Sequence, residues 1–277
     1  MNLCVLSGKG GTGKTTVSVN LAVLLQANYY DCDVEEPNGF IFLKPGRVSA
    51  EDVTVDYPVI DNGKCTHCGL CAKACQYNAL ANTKKSVMLF PTLCHGCHAC
   101  EIVCEPKAIT YSRRPVGVVE QGDGYGVHCM RGVLNVGEHM AVPVIRELLK
   151  GLNPSKNNIL DCAPGTSCNV VNTLRASDAA LIVTEPTTFG LHDMSIAVEL
   201  IKQMDIPFAV VVNKSRDDDT IIRRYCDDNG IALLGGIPYA RKAAEAYSNG
   251  RLLSELPEYR QPYEQIADKL KEAFAWN

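Results

Sequence analysis

The sequence predicts an α/β fold: a mostly parallel sheet with helices on both faces, and a small α+β segment inserted into it. Three observations predict this. A short apolar run at residues 2–6 leads into a glycine-rich turn and then a helix-like stretch from Thr16 to Ala27. Further short apolar runs at Asn158–Leu160, Ala179–Val183 and Phe208–Val212 have the length of buried strands, and helical periodicity follows around 189–204, 217–229 and 262–275. Strands alternating with helices build parallel sheets. Between these parts, residues 55–111 lose the long apolar periodicity and fill with cysteine. Residues 1–54 carry too few strands to bury a core alone. Residues 1–54 and 112–277 are therefore expected to form one discontinuous domain, with 55–111 inserted.

Composition narrows the class. Of 277 residues, 46% are hydrophobic and 21% charged, as in ordinary globular chains. A net charge of −4 supplies no basic field to recruit nucleic acid, which is not expected as a partner. No apolar run approaches the ~20 residues of a membrane span, and the N-terminus lacks the layout of a secretory signal. The expected location is the cytoplasm. The C-terminal stretch Tyr263–Asn277 is amphipathic with few bases on its polar face, so it is expected to pack on the sheet rather than on a membrane.

Residues Gly8-Lys9-Gly10-Gly11-Thr12-Gly13-Lys14-Thr15 match the phosphate-loop pattern G-x-x-x-x-G-K-(S/T), with a strand before and a helix after. Glycines let the main chain wrap a phosphate closely with N–H groups inward, and the helix N-terminus adds positive potential. Lys14 is expected on the β- and γ-phosphates, and the Thr15 hydroxyl on Mg²⁺. The loop residues, with Thr16 after them, are the candidate contacts to ATP.

The early second lysine makes the loop K-G-G-T-G-K-T-T. This form resembles the deviant Walker A loop of the MinD/ParA/nitrogenase-iron-protein ATPases, which are P-loop NTPases of the SIMIBI type. The resemblance covers essentially the whole chain. It implies that Lys9 reaches a partner subunit's nucleotide, and that ATP favours a face-to-face homodimer or a dimer with a close paralogue. The segment Asp31-Cys32-Asp33-Val34-Glu35-Glu36-Pro37-Asn38 resembles the first switch of that family. The resemblance implies that Asp33 positions the attacking water; carboxylates there also suit Mg²⁺. The link from the loop helix to Asp31 is short for the family and leaves room for only a short strand. Asn158-Ile159-Leu160-Asp161-Cys162-Ala163-Pro164-Gly165 resembles the second switch, with Asp161 holding Mg²⁺ through water and the Gly165 N–H sensing the γ-phosphate. The alternative for Asp161 is a helix cap. Asn213 and Pro238, in loops after later strands, resemble the adenine pocket. Lys9, Lys14 and Asp33 are the candidate catalytic residues of an ATPase.

Fourteen cysteines is a high count, and eight fall in two runs. Cys65-x2-Cys68-x2-Cys71-x3-Cys75 and Cys94-x2-Cys97-x2-Cys100-x3-Cys104 both have the spacing of two-cluster ferredoxins. In that pattern three thiolates of a run hold one cube and the fourth ligates the other. One [4Fe–4S] cluster is expected on Cys65, Cys68, Cys71 and Cys104, the second on Cys75, Cys94, Cys97 and Cys100. The resemblance is to the family branch bearing an inserted bacterial-ferredoxin-like segment. Zinc is the alternative for C-x-x-C pairs, but two four-cysteine runs at this spacing fit cubes better. The usual proline after the fourth cysteine is Gln76 in the first run and is displaced to Pro106 in the second. His67, His95 and His98 lie between the ligands and are expected to be solvated or to tune the clusters by hydrogen bonding.

Cys4, Cys32, Cys129, Cys162, Cys168 and Cys226 read as buried small hydrophobes. The nitrogenase iron protein bridges one cluster between subunits, and that resemblance offers Cys129, read as lying in a glycine-rich loop, and Cys168 as a second such pair. Two functions remain in view. One is an ATPase that gates electron transfer to a redox partner protein. The other is an ATP-dependent carrier or assembly factor for clusters or metal cofactors. Mrp-type carriers use a late C-x-x-C pair, and this sequence has only Cys226 there.

Overall fold

A computed structural model describes residues 1–215 and 219–276. The chain opens with β1 (Asn2–Leu6). Leu3 and Val5 enter one layer, Cys4 and Leu6 the other, and all four are fully buried. A strand covered on both faces must be apolar at each position rather than alternate. Helix α1 (Lys14–Leu25) follows the glycine turn and is buried continuously from Thr16 to Ala22. It stops where Gln26 turns left-handed at φ 51° and donates its N–H to the carbonyls of Ala22 and Val23. β2 (Asn28–Asp31) begins almost at once and has four residues, the short strand that the brief link allows.

Helix α2 (Gly39–Leu43) and strand β3 (Gly46–Ile60) come next, then α3 (Leu70–Ala74), β4 (Leu80–Asn82), β5 (Val87–Leu89) and α4 (Ala99–Ile102). Two long strands, β6 (Ile109–Gly124) and β7 (Val127–Leu134), form a hairpin. Its two-residue turn, Tyr125-Gly126, has φ of 54° and 78°. Positive φ at both positions is the twist-matched geometry of tight hairpins. The remainder alternates: α5 (Val142–Lys150), β8 (Asn158–Asp161), α6 (Cys168–Leu174), β9 (Ala179–Thr184), α7 (Thr188–Gln203), β10 (Phe208–Ser215), α8 (Thr220–Asp228), β11 (Ala232–Pro238), α9 (Arg241–Ser248) and α10 (Pro257–Phe274). Of the helix expected around 217–229, positions 217 and 218 lie outside the described residues.

The strands form one sheet in the order β11-β10-β9-β1-β8-β2-β7-β6-β3. Neighbours from β11 to β7 are parallel, as the alternation predicts. β3 and β6 add to the expected strands. β3 is mostly exposed and at the sheet's edge, so no apolar pattern announces it. Cys129 does not lie in a loop. It is the third residue of β7, fully buried where that strand pairs with β2, so it cannot meet a second subunit.

Two compact units divide the chain: residues 1–50, 119–133 and 145–277 in one, residues 51–118 and 134–144 in the other. The first has apolar clusters on both faces of its sheet. One gathers α1 and α10 over Leu3, Val5, Ile159 and Leu181; the other gathers Val170, Met194 and Ile222 over Cys4, Leu6 and Ile182. Tyr259, Tyr263, Ile266 and Leu270 of α10 are buried in the first cluster, so the amphipathic C-terminus does pack inward. Ile266 and Leu270 each contribute ~1.5–3 kcal/mol by burial. The second unit has a much smaller core. Leu80, Ile109 and Cys100 form one buried cluster in it, with Cys71, Cys75 and Cys104 among the residues packed round them.

Candidate functional site

In an open parallel sheet, ligands gather at the carboxyl ends of strands where the strand order reverses. Here that point is β1, flanked by β8 and β9. A cleft of about 460 Å³ opens there. Gly10, Gly11, Gly13, Lys14, Thr15 and Thr16 line one side, and Asp33, Asn213 and Pro238 join them. The segments predicted from distant parts of the sequence thus meet at one cavity.

The loop's backbone needs glycine at two points. Gly11 and Gly13 have φ of 79° and 91°. A side chain at Gly13 would also place its Cβ 2.1 Å from Asn213 Nδ2. Asn213 is itself occupied with the loop, because Nδ2 donates to Thr12 O at 2.7 Å. That leaves Oδ1 for a ligand. Thr12 Oγ1 is buried with no partner among the described residues, and a phosphate oxygen would satisfy such an orphan. Gly8 sits where a Cβ would lie 2.0 Å from Asp193 O, so its role is close packing. Gly165, at φ 86°, donates its N–H to Ser7 O at 3.0 Å.

Three carboxylates converge behind the loop. Asp161, fully buried at the end of β8, accepts from Ser18 Oγ at 3.1 Å and from the Tyr29 hydroxyl at 2.9 Å. Asp31, at the end of β2, accepts the Gly39 N–H at 2.8 Å. Burial pushes both upward; each also raises or faces a neighbouring carboxyl, while Lys14 and the Thr15 hydroxyl favour ionised Asp161. Burial likewise lifts Asp33 to about 6, with Lys14 opposing and Asp161 adding to the rise. Among the described residues these carboxylates do not by themselves form a three-ligand cation site; Mg²⁺ is held by one or two carboxylates together with substrate phosphates.

A pH signature follows. The fold raises Asp33 from 3.8 to about 6. This stability contribution is complete below about 3.8 and lost as the pH climbs through 6. Nucleotide-free Asp33→Asn protein is therefore expected to be more stable than wild type at pH 7.5, by up to about 3 kcal/mol at ~1.4 kcal/mol per pKa unit. The advantage should shrink toward pH 5. Denaturant midpoints at the two pH values measure it, and a pH-independent difference would refute the assignment.

Several site residues escaped the sequence reading. Glu185, just past β9, accepts from Lys214 Nζ at 2.6 Å and lies 3.9 Å from Lys9 Nζ. Lys214 also donates to Gly11 O at 2.8 Å. Tyr239, Ala243, Ala244 and Tyr247, on and before α9, give the cleft an apolar wall. A charge just beyond a parallel strand is the signal that would have found Glu185.

The second unit holds the eight cysteines of the two runs. Cys75, Cys94, Cys97 and Cys100 line one hollow, and Cys65, Cys68, Cys71 and Cys104 line another. Each hollow takes three sulfurs from one run and one from the other. Tight turns bring this about: His67 and Gly96, and likewise Gly69 and His98, occupy the same positions of the two runs and all have positive φ. Cys75 and Cys104 each accept a backbone N–H at 3.3 Å, from Ala79 and Ala108. Burial pushes Cys71 and Cys94 up, and facing sulfurs add to it. Among the described residues no three His, Cys, Asp or Glu side chains converge on a single ion. Four sulfurs round each hollow are the ligand set of a thiolate-ligated cube. Of the remaining cysteines, Cys168 alone is exposed and the other five are buried.

Comparison with known proteins agrees with this geometry. The family described as the CobQ/CobB/MinD/ParA nucleotide binding domain matches residues 3–253. The chain is 33% identical over 277 residues to the uncharacterized protein MJ0579 of Methanocaldococcus jannaschii, covering 97% of each. It is 27% identical over 302 residues to the iron-sulfur cluster carrier protein of Pyrococcus abyssi, covering 98% of this chain and 86% of the relative. MinD of Pyrococcus horikoshii, solved with Mg-ADP, superposes with a TM-score of 0.61 at 18% identity, covering 98% and 96% of the two chains. That likeness is one of fold.

Proposed function

The chain belongs to the CobQ/CobB/MinD/ParA nucleotide-binding family, and from that premise we propose that it is an ATPase whose nucleotide state governs electron transfer through two [4Fe–4S] clusters to a partner protein. In this reading residues 1–54 and 112–277 form the ATPase domain and residues 55–111 the inserted ferredoxin-like one. Lys14 holds the β- and γ-phosphates, Thr15, Asp33 and Asp161 hold Mg²⁺, and Asn213 and Pro238 meet the base. The Gly165 N–H exchanges Ser7 O for the γ-phosphate, and Lys9 leaves Glu185 for the partner subunit of an ATP-dependent dimer. No helix among the described residues is long and apolar enough to cross a membrane, and we place the protein in the cytoplasm.

The observation that carries the redox half is the sorting of eight thiols into two sets of four, each drawn from both runs. One-electron carriers of the two-cluster ferredoxin kind use that arrangement. A second reading, delivery of clusters to other proteins, is favoured by the relatives named as cluster carriers. Against it, Cys226 is buried and has no C-x-x-C companion.

The test is spectroscopic. Anaerobic protein, reduced with dithionite, is followed by electron paramagnetic resonance with and without Mg-ATP. The proposal expects nucleotide to change the spectrum, the potential or the rate of oxidation by an acceptor. No change in any of the three defeats gating, and transfer of iron and sulfide to an apo-ferredoxin selects the carrier reading.

A further inference from the structure

The two cysteine runs are an internal repeat, and one pair of its equivalent positions makes different contacts. Aligning Cys65–Asn82 with Cys94–Tyr111 places Cys71 against Cys100, Ala79 against Ala108, Gly69 against His98 and Asn82 against Tyr111. The backbone follows the repeat: Gly69 and His98 are both left-handed, at φ 81° and 62°. The side chains do not. Asn82 turns to the main chain, donating to His67 O at 2.9 Å. Tyr111 turns to sulfur, with its hydroxyl 3.1 Å from Cys100 Sγ, a closer contact than the 3.7 Å from His67 Nδ1 to Cys65 Sγ at the other hollow.

Tyr111 is also held in place. Its ring stacks on His98 with centroids 3.8 Å apart and planes 28° apart. His98 is fixed at both nitrogens, by Glu101 Oε2 at 3.2 Å and Asp56 Oδ2 at 3.3 Å. Arg113 closes on the other oxygen of Asp56 at 3.5 Å. A ligating thiolate carries no proton, so in this contact the hydroxyl donates and the sulfur accepts.

We infer that Tyr111 makes the two clusters unequal, raising the potential of the one on Cys75, Cys94, Cys97 and Cys100 above that of the one on Cys65, Cys68, Cys71 and Cys104. This rests on the proposal that both hollows hold [4Fe–4S] clusters. A donor on a ligating sulfur stabilises the more negative, reduced state, because one electron entering the cube spreads its charge onto the thiolates. A hydrogen bond strengthens as its acceptor gains charge. Its removal should weaken reduction of that cluster about tenfold, or ~59 mV for a one-electron couple. The first electron accepted from a one-electron donor therefore resides beside Tyr111. His98 acts through Tyr111, as a positioning residue.

Redox titration of the anaerobically purified full chain, with electron paramagnetic resonance as readout, tests this. Wild type should show two one-electron waves. Tyr111→Phe keeps the stacked ring and loses only the donor; the upper wave should fall by about 59 mV and the lower one stay. Both waves unmoved at full iron content overturns the inference. If Tyr111→Phe loads less iron, two single-cluster chains that retain Tyr111 decide the matter. Cys71→Ala, which keeps the cluster beside Tyr111, should titrate above Cys97→Ala, which keeps the other; equal or reversed potentials overturn it. Wild-type protein purified anaerobically without iron or sulfide defeats the cluster reading itself, a result separable from any of these.

Discussion

Replacing Cys75 with alanine should remove half the iron, and the half lost should be the cluster of the other run. Cys75 belongs by sequence to Cys65, Cys68 and Cys71, but it lines the hollow of Cys94, Cys97 and Cys100. Cys75→Ala should therefore match Cys97→Ala in its spectrum and differ from Cys71→Ala. Each should fall from about eight irons to about four. The loss also bears on folding. A buried cluster of this unit is Leu80, Ile109 and Cys100, and three of the eight partly buried residues packed on it are cysteines. So small a core gives little hydrophobic stabilisation, and a cluster bound only by the folded state supplies the rest by mass action. Limited proteolysis should cut Cys75→Ala between residues 51 and 118 at protease levels that spare wild type. Iron and sulfide analysis checks the first part. A Cys75→Ala protein that keeps the cluster of its opposite hollow contradicts the crossed arrangement.

How far the sequence revealed this molecule depends on how local each signal is. The phosphate loop was legible because Gly11 and Gly13 need left-handed backbone beside a strand and a helix, all within a few residues. The cysteine runs were legible for the same reason, as two left-handed residues within each C-x-x-C-x-x-C, His67 and Gly69 or Gly96 and His98, turn the chain between ligands. β8, β9 and β10 were legible because strands covered on both faces are unbroken apolar runs. β3 was not, since its residues face solvent at the sheet's edge and its pairing is set by a partner far along the chain. Cys129 was misplaced because its neighbours Gly124, Gly126 and Gly132 suggest a loop, while only pairing with β2 makes it a strand residue. Glu185 was passed over as a single charge, for its meaning comes from Lys9 and Lys214, which only the sheet brings near.

Lys14→Ala should abolish Mg-ATP binding and weaken the empty protein at once, and the two effects should separate. Lys14 is 6% exposed, and it is the first group favouring the charged forms of both Asp33 and Asp161. Without it the phosphate loses its cation, and losing one partner of a buried charge pair costs about 2–5 kcal/mol of binding, roughly 30-fold or more in affinity. The carboxylates lose theirs too, and breaking a buried ion pair from one side costs about 3–5 kcal/mol. Since both aspartates are then pushed further up, the stability deficit should grow as the pH rises through the neutral range. The double variant Lys14→Ala/Asp33→Asn removes one of the stranded charges. It should recover part of the stability and none of the binding, because residues in contact are not additive. Calorimetric titration with Mg-ATP and denaturant unfolding at pH 6 and 8 give the two readouts. Binding within threefold of wild type in folded Lys14→Ala would show that the triphosphate is held elsewhere. Stability recovered together with binding would show that the lysine serves the fold alone.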